Sequence, residues 1–155
     1  MKAIVSIVLV VLLATFTGCV TPLNTPSGRP EVTVTGATTN SVKGALINEM
    51  LNDGYVVKRS DENIVVCEKA MDNFAAQMLY GSNFNRQPNA RITYNLIELG
   101  SSIRIVAQIE IITNPDSGLE QVTPLNNGKD ANDVQNMLTR IAARLDISPH
   151  QANTP

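Results

Sequence analysis

The chain has 155 residues, with 12 Lys and Arg against 14 Asp and Glu, two cysteines, one histidine and no tryptophan. The basic residues are scattered and form no run, which argues against a nucleic-acid or anionic-lipid surface. His150 stands in a polar C-terminal stretch, so neither a Cys/His zinc site nor a Ser-His-Asp triad is expected, and no cofactor or metal is called for.

At the N-terminus Lys2 precedes an apolar run from Ala3 to Ala14 that only Ser6 interrupts. A membrane-spanning helix needs roughly 20 apolar residues, and this shorter run suits the apolar region of an export signal. The run ends in Phe16-Thr17-Gly18-Cys19. This resembles the lipobox of bacterial lipoproteins, with Phe16 where leucine is commonest. The resemblance implies that residues 1–18 are a signal peptide. Cys19 then becomes the new N-terminus, carrying a diacylglyceryl group and an N-acyl chain of the palmitate kind. Each buried CH₂ contributes about 0.8 kcal/mol, so two or three chains make a lasting anchor where one does not. Val20, rather than aspartate, follows Cys19, which in this family implies the outer membrane and a periplasm-facing domain. The inner membrane and the cell surface stay open as alternatives. With Cys19 acylated, Cys67 is the only thiol, so no intramolecular disulfide forms. Loss of residues 1–18, with Lys2 their one charge, takes the net charge from −2 to −3.

Residues 20–30 contain three prolines and one glycine, so 19–30 reads as a lipidated end and flexible tether. A single domain is expected over 31–147. Glu31–Thr35 alternates polar and apolar, as a first strand does. A helix is predicted from about 40 to 53, with Val42, Leu46 and Met50 at four-residue spacing. Ala45, Ile47 and Leu51 widen its stripe, and Gly54 ends it. Residues 55–60 and 64–69 read as paired strands, with Val57 opposite Val66, Arg59 opposite Ile64 and Val56 opposite Cys67. Cys67 therefore sits mid-strand and reads as a small buried hydrophobe. Asp72 heads a short helix ended by Gly81. The polar segment 81–89 that follows is where a binding loop would fall, with Tyr80, Phe84 and Arg86 as its candidate residues.

Gly100-Ser101 suits a two-residue II′ turn in a hairpin from Arg91 to Thr113. Counting outward, Leu96 faces Ile105, Tyr94 faces Ala107 and Ile92 faces Ile109 on one side, with Glu98 opposite Ile103. On the other side Arg91 faces Glu110 and Thr93 faces Gln108, although Ile97 and Val106 share that side. Asn114-Pro-Asp-Ser-Gly118 reads as a turn, and Leu119–Leu125 as a last edge strand ended by Pro124. Asn132 or Asp133 caps a final helix bearing Val134, Met137, Leu138, Ile141, Ala142 and Leu145. Residues 148–155 read as a tail. The expected order is β-α-β-β-(short α)-β-β-β-α. This is an α+β domain, with an antiparallel sheet of five to six strands and two main helices on one face. Element order and cellular address together loosely resemble helix-grip-like domains of envelope accessory lipoproteins.

No phosphate loop, zinc-protease pattern or nucleophile-base pairing is present. Asp61-Glu62 falls in a tight turn. Asn114, Asp116 and Glu120 are interrupted by Pro115 and lack the closing glutamate of a calcium loop. The expectation is a non-enzymatic, lipid-anchored envelope module that binds a protein partner and no nucleic acid. The alternative is a binding protein for a small apolar ligand held between sheet and helices.

Overall fold

The structure, a computed structural model, describes residues 23–71, 87–125 and 128–147. The described elements are β1 (Glu31–Thr35), α1 (Thr39–Asn52), β2 (Val56–Ser60), β3 (Ile64–Ala70), β4 (Asn89–Leu99), β5 (Ser102–Thr113), β6 (Gln121–Pro124) and α2 (Lys129–Ile147). All pairings are antiparallel, in the order β1-β5-β4-β3-β2, with β6 also on β5. The fold is α+β, as expected. The short helix after Asp72, the signal segment and the C-terminal tail lie outside the described residues.

The β4–β5 hairpin is the spine of the sheet. At its turn Gly100 has φ 65° while Ser101 does not enter the positive region, as a II′ turn requires. Every pairing counted outward from that turn holds: Leu99 with Ser102, Leu96 with Ile105, Tyr94 with Ala107, Ile92 with Ile109 and Arg91 with Glu110. The inner side chains of this hairpin join Val34, Val65 and Cys67 beneath the helices to form the core. On the opposite face Val106 and Ile112 are also buried, so that face is not uniformly wet.

The outer edge of β5 serves two strands. β1 pairs with its first half and β6 with its second. Between them the Ala107 N–H donates to the Pro30 carbonyl, and the Leu125 N–H donates to the Ile109 carbonyl, both at 2.8 Å. Few backbone groups along this edge are therefore left bare. The free edge of β1 is covered by α2. The Glu31 N–H donates to Gln135 Oε1 at 2.8 Å, and Gln135 Nε2 donates back to the Glu31 carbonyl at 3.0 Å. Gln135 thus stands in for a neighbouring strand at that residue.

The stretch 19–30, expected as a flexible tether, is from Leu23 onward part of the packed structure. Leu23 packs against the core, the Gly28 N–H closes a turn on the Thr25 carbonyl, and Pro30 is buried. The prolines shape a docked strap here, because its carbonyl at Pro30 answers the open N–H of Ala107.

α1 starts one residue early, capped by Thr38, whose hydroxyl accepts from the Ser41 N–H. Val42, Leu46 and Met50 are its buried row, but Leu51 is 55% exposed. At 3.6 residues per turn Leu51 lies about 140° round from Leu46, on the far side of the helix. The helix ends in a Schellman motif. The Tyr55 N–H donates to the Met50 carbonyl, the Gly54 N–H to that of Leu51, and Gly54 has φ 80°. α2 begins at Lys129, not at Asn132 or Asp133. Asn132 instead lies inside the first turn and returns its side-chain N–H to the Gly128 carbonyl. Glu49 of α1 ties the helices together by accepting from Arg144 at 2.8 Å and Arg140 at 3.5 Å.

The β2–β3 register differs from expectation. Glu62-Asn63 forms the two-residue turn, closed by the Asp61 N–H on the Ile64 carbonyl. Arg59 pairs with Val66, and a bulge at Lys58 then brings Val57 opposite Cys67 and Val56 opposite Glu68. Val56 is left 62% exposed. The bulge also sets Lys58 near Glu68 on the outer face, 3.8 Å away.

That face carries a charge network rather than the simple Arg91–Glu110 pair. The Glu68 side chain is only 6% exposed, and it accepts from Arg91 Nε at 2.6 Å and from Asn89 at 3.2 Å. Arg91 also reaches Glu120 at 3.1 Å, while Glu110 accepts from Gln108. A carboxylate this buried costs several kcal/mol if stripped of its partners. Arg91→Ala should lower stability by about 2–4 kcal/mol, and adding Glu68→Gln should recover part of that loss. Denaturant unfolding of the single and double variants measures the coupling, and strictly additive losses would refute it.

A second prediction concerns acid. Burial raises the Glu31 carboxyl, but hydrogen bonds from Ser27 and the ion pair with Arg104 outweigh it and hold the carboxyl below its ordinary value. The Arg144 hydrogen bond, against burial and with Arg140 assisting, does the same for Glu49. The unfolded chain therefore binds more protons than the folded one just below the ordinary carboxylate pKa. These contributions are present at neutral pH and are lost as pH falls below about 5 toward the folded pKa values. The melting temperature should drop over that window, with a shallower slope in the Glu31→Gln/Glu49→Gln variant. An unchanged slope would count against these two residues.

Candidate ligand cleft

The inner face of the sheet loses bulk toward one end. Along β4 the inward residues run Leu96, Tyr94, Ile92 and then only Ala90, and along β3 they run Val65, Cys67 and then Lys69. At that end the C-terminus of α1 and the N-terminus of α2 both border the space the sheet leaves unfilled. A cavity of about 450 Å³ results, lined by apolar side chains including Met50, Ile92, Ile109, Leu125, Val134 and Met137. Among the described residues its polar lining is Asp53, Tyr55, Lys69, Asp130 and Asp133.

Local structure positions each polar group. The Schellman turn at Gly54 swings Tyr55 back over the end of α1, beside Met50. Lys69 Nζ donates to the Asp53 carbonyl at 2.8 Å and lies 5.7 Å from the centre of the Tyr55 ring. Its ammonium thereby satisfies a helix C-terminal carbonyl and rests on an aromatic face at once. Asp130 and Asp133 occupy the first turns of α2, where the helix dipole favours carboxylates, and Asp133 is paired with Lys129. Burial, then the nearby Asp130 and Asp53 carboxylates, push the Tyr55 phenol up.

Behind the cleft Tyr94 is fully buried and donates to Met50 Sδ at 3.0 Å. A thioether is a weak acceptor, and burial pushes this phenol well above its ordinary value, so it stays protonated. Cys67, deep in the core between Val57 and Ile92, has its thiol pushed up to about 11 by burial. The groups around the cleft are therefore suited to holding a ligand: an apolar floor, a charged rim and phenols that remain neutral. Among the described residues no group of three His, Cys, Asp or Glu side chains could hold a metal ion.

Cys19, Tyr80, Phe84 and Arg86 all lie outside the described residues. The cleft residues Asp53, Tyr55, Lys69 and Asp130 were missed by sequence reasoning. One signal for them was present: Lys69 shares strand parity with Val65 and Cys67, so it points inward, where a lysine is unusual. A comparison with protein-family models and with curated proteins gives no match.

The raised Cys67 thiol makes a direct prediction. Alkylation at about pH 8 should be on the order of a hundredfold slower than in the unfolded chain, whose thiol titrates near 8.5. Peptide mapping reads Cys67 separately from Cys19, and rapid native-state labelling of Cys67 would contradict its burial.

Proposed function

We propose that this protein is a lipid-anchored, non-enzymatic binding module of the bacterial cell envelope. In this reading acylated Cys19 holds it at the outer membrane, the domain faces the periplasm, and the cleft takes a small, largely apolar ligand. The observation that carries the binding reading is the 450 Å³ cavity itself. Its size falls within the roughly 300–1,000 Å³ usual for small-molecule sites, and its lining joins an apolar floor to a few convergent polar groups. The Phe16-Thr17-Gly18-Cys19 sequence supports the anchor. No helix among the described residues is long and apolar enough to cross a membrane.

Docking of the strap from Leu23 alters the geometry of this reading. Four peptide steps separate Cys19 from Leu23, a reach of at most about 14 Å. The domain therefore rides close to the bilayer rather than on a long arm. A second reading, a scaffold for an envelope protein, is favoured by Leu119 and Val122. Both are exposed, one in the loop before edge strand β6 and one on that strand.

Cys19→Ala should abolish incorporation of radiolabelled fatty acid, and unchanged labelling would refute the anchor. Native mass spectrometry of the protein taken from solubilised envelopes should show a small-molecule adduct of constant mass. Ala90→Leu, which adds bulk on the cleft floor, should remove that adduct. A ligand-free mass from the wild-type chain, together with a protein partner at fixed stoichiometry, would replace the ligand reading with the scaffold.

A further inference from the structure

Among the described residues the charges around the cleft do not balance, and their arrangement bears on what the cleft holds. Among the described residues Lys69 is the one cation on its lining, and its ammonium donates to the Asp53 carbonyl beside the Tyr55 ring. Asp133 is engaged by Lys129. Asp53 and Asp130, at the facing ends of the two helices, have no side-chain hydrogen bond or ion pair among the described residues. The N-terminus of α2 brings roughly half a positive elementary charge to the same region, and with Asp133 paired to Lys129 the Asp130 carboxylate on the first turn outweighs it. Both carboxylates act on one point, since each raises the Tyr55 phenol beyond what burial does, although Asp130 also attracts the neighbouring Lys129. The face of that ring is also a surface on which a cation can rest.

We propose that the ligand of this cleft is a cationic amphiphile. It would have an apolar chain seated on Met50, Ile92, Ile109 and Met137, and an ammonium-type head at the rim near Asp53, Asp130 and Tyr55. The inference rests on the small-ligand reading above and narrows it to a charge class. An anionic head of the same size would meet two carboxylates that have no ion pair among the described residues, so the rim selects against it as well as for its opposite. A plain hydrocarbon would fill the floor and leave the rim unused.

The test uses the full-length protein in digalactosyldiacylglycerol nanodiscs, a neutral bilayer with no ammonium head, with methyl-labelled methionines, so that Met50 and Met137 report from inside the cleft. Three probes sharing an eight-carbon chain are titrated below their micelle concentrations: octyltrimethylammonium, octyl glucoside and octyl sulfate. The expected result is saturable shifts of the Met50 and Met137 methyls, with octyltrimethylammonium about fivefold or more tighter than octyl sulfate. Asp53→Asn/Asp130→Asn should erase that preference while octyl glucoside still binds. Both positions are exposed, so the variant should keep the wild-type methyl spectrum when free of ligand. Equal or tighter binding of octyl sulfate, or a preference that survives in the variant, overturns the charge assignment and leaves the small-ligand reading standing. If none of the three probes shifts the two methyls, the small-ligand reading falls and this inference falls with it.

Discussion

The register of the β4–β5 hairpin is the constraint on which the rest of the structure depends. Gly100 takes a positive φ that an ordinary residue adopts only at a cost, and that one dihedral fixes which residues of the two longest strands face each other. A slip of one position would turn Ile105, Ala107 and Ile109 outward and bring Arg104, Gln108 and Glu110 into the core. β5 then transmits the register to every other layer. β1 and β6 both take their positions from its outer edge, and the strap before β1 is held by the bond from Ala107 to Pro30. α2 in turn reads the position of β1 through Gln135.

This dependence explains which parts of the fold were legible in the sequence. The hairpin could be counted residue by residue, because a II′ turn starting with glycine leaves one register and the alternation of Leu96, Tyr94 and Ile92 agrees with it. The α1 stripe was legible because Val42, Leu46 and Met50 repeat at helical spacing. The β2–β3 pairing was not, because both strands are short and Val56-Val57 and Val65-Val66 are apolar on consecutive residues. Alternation then carries no phase, and a bulge at Lys58 has no composition signal of its own. The strap was misread for a related reason. Proline and glycine announce the absence of helix and ladder, but they do not announce whether a carbonyl such as that of Pro30 finds a distant donor.

The outer face shows a similar limit. Arg91 does stand across from Glu110, as cross-strand counting requires. Its ion pairs nevertheless go to Glu68 on the next strand and to Glu120 just before β6. A long side chain with a forked head chooses among several carboxylates, and burial decides the choice. The Glu68 side chain is far less exposed than an ordinary surface glutamate, so leaving it without Arg91 would be the costlier arrangement.

The cleft was the least legible feature because it arises from a deficit. No motif marks it; it exists where Ala90 follows Ile92, Tyr94 and Leu96 along one inner row, and where Lys69 replaces an apolar residue along the next. Neither substitution by itself signals a site, since an alanine at a strand end and a lysine near a helix C-terminus each have ordinary structural explanations. Their meaning comes from the third dimension, where the end of α1 and the start of α2 meet over the same patch. The helix termini also account for the charge there. The C-terminus of α1 draws Lys69 onto its last carbonyl, and the N-terminus of α2 favours the carboxylates of Asp130 and Asp133. Capping chemistry that stabilises two helices thus fixes Lys69, the one cation of the described lining, against the last carbonyl of α1 and sets Asp53, Asp130 and Asp133 around the same space, so the same local rules that build the fold decide which charges border the cleft.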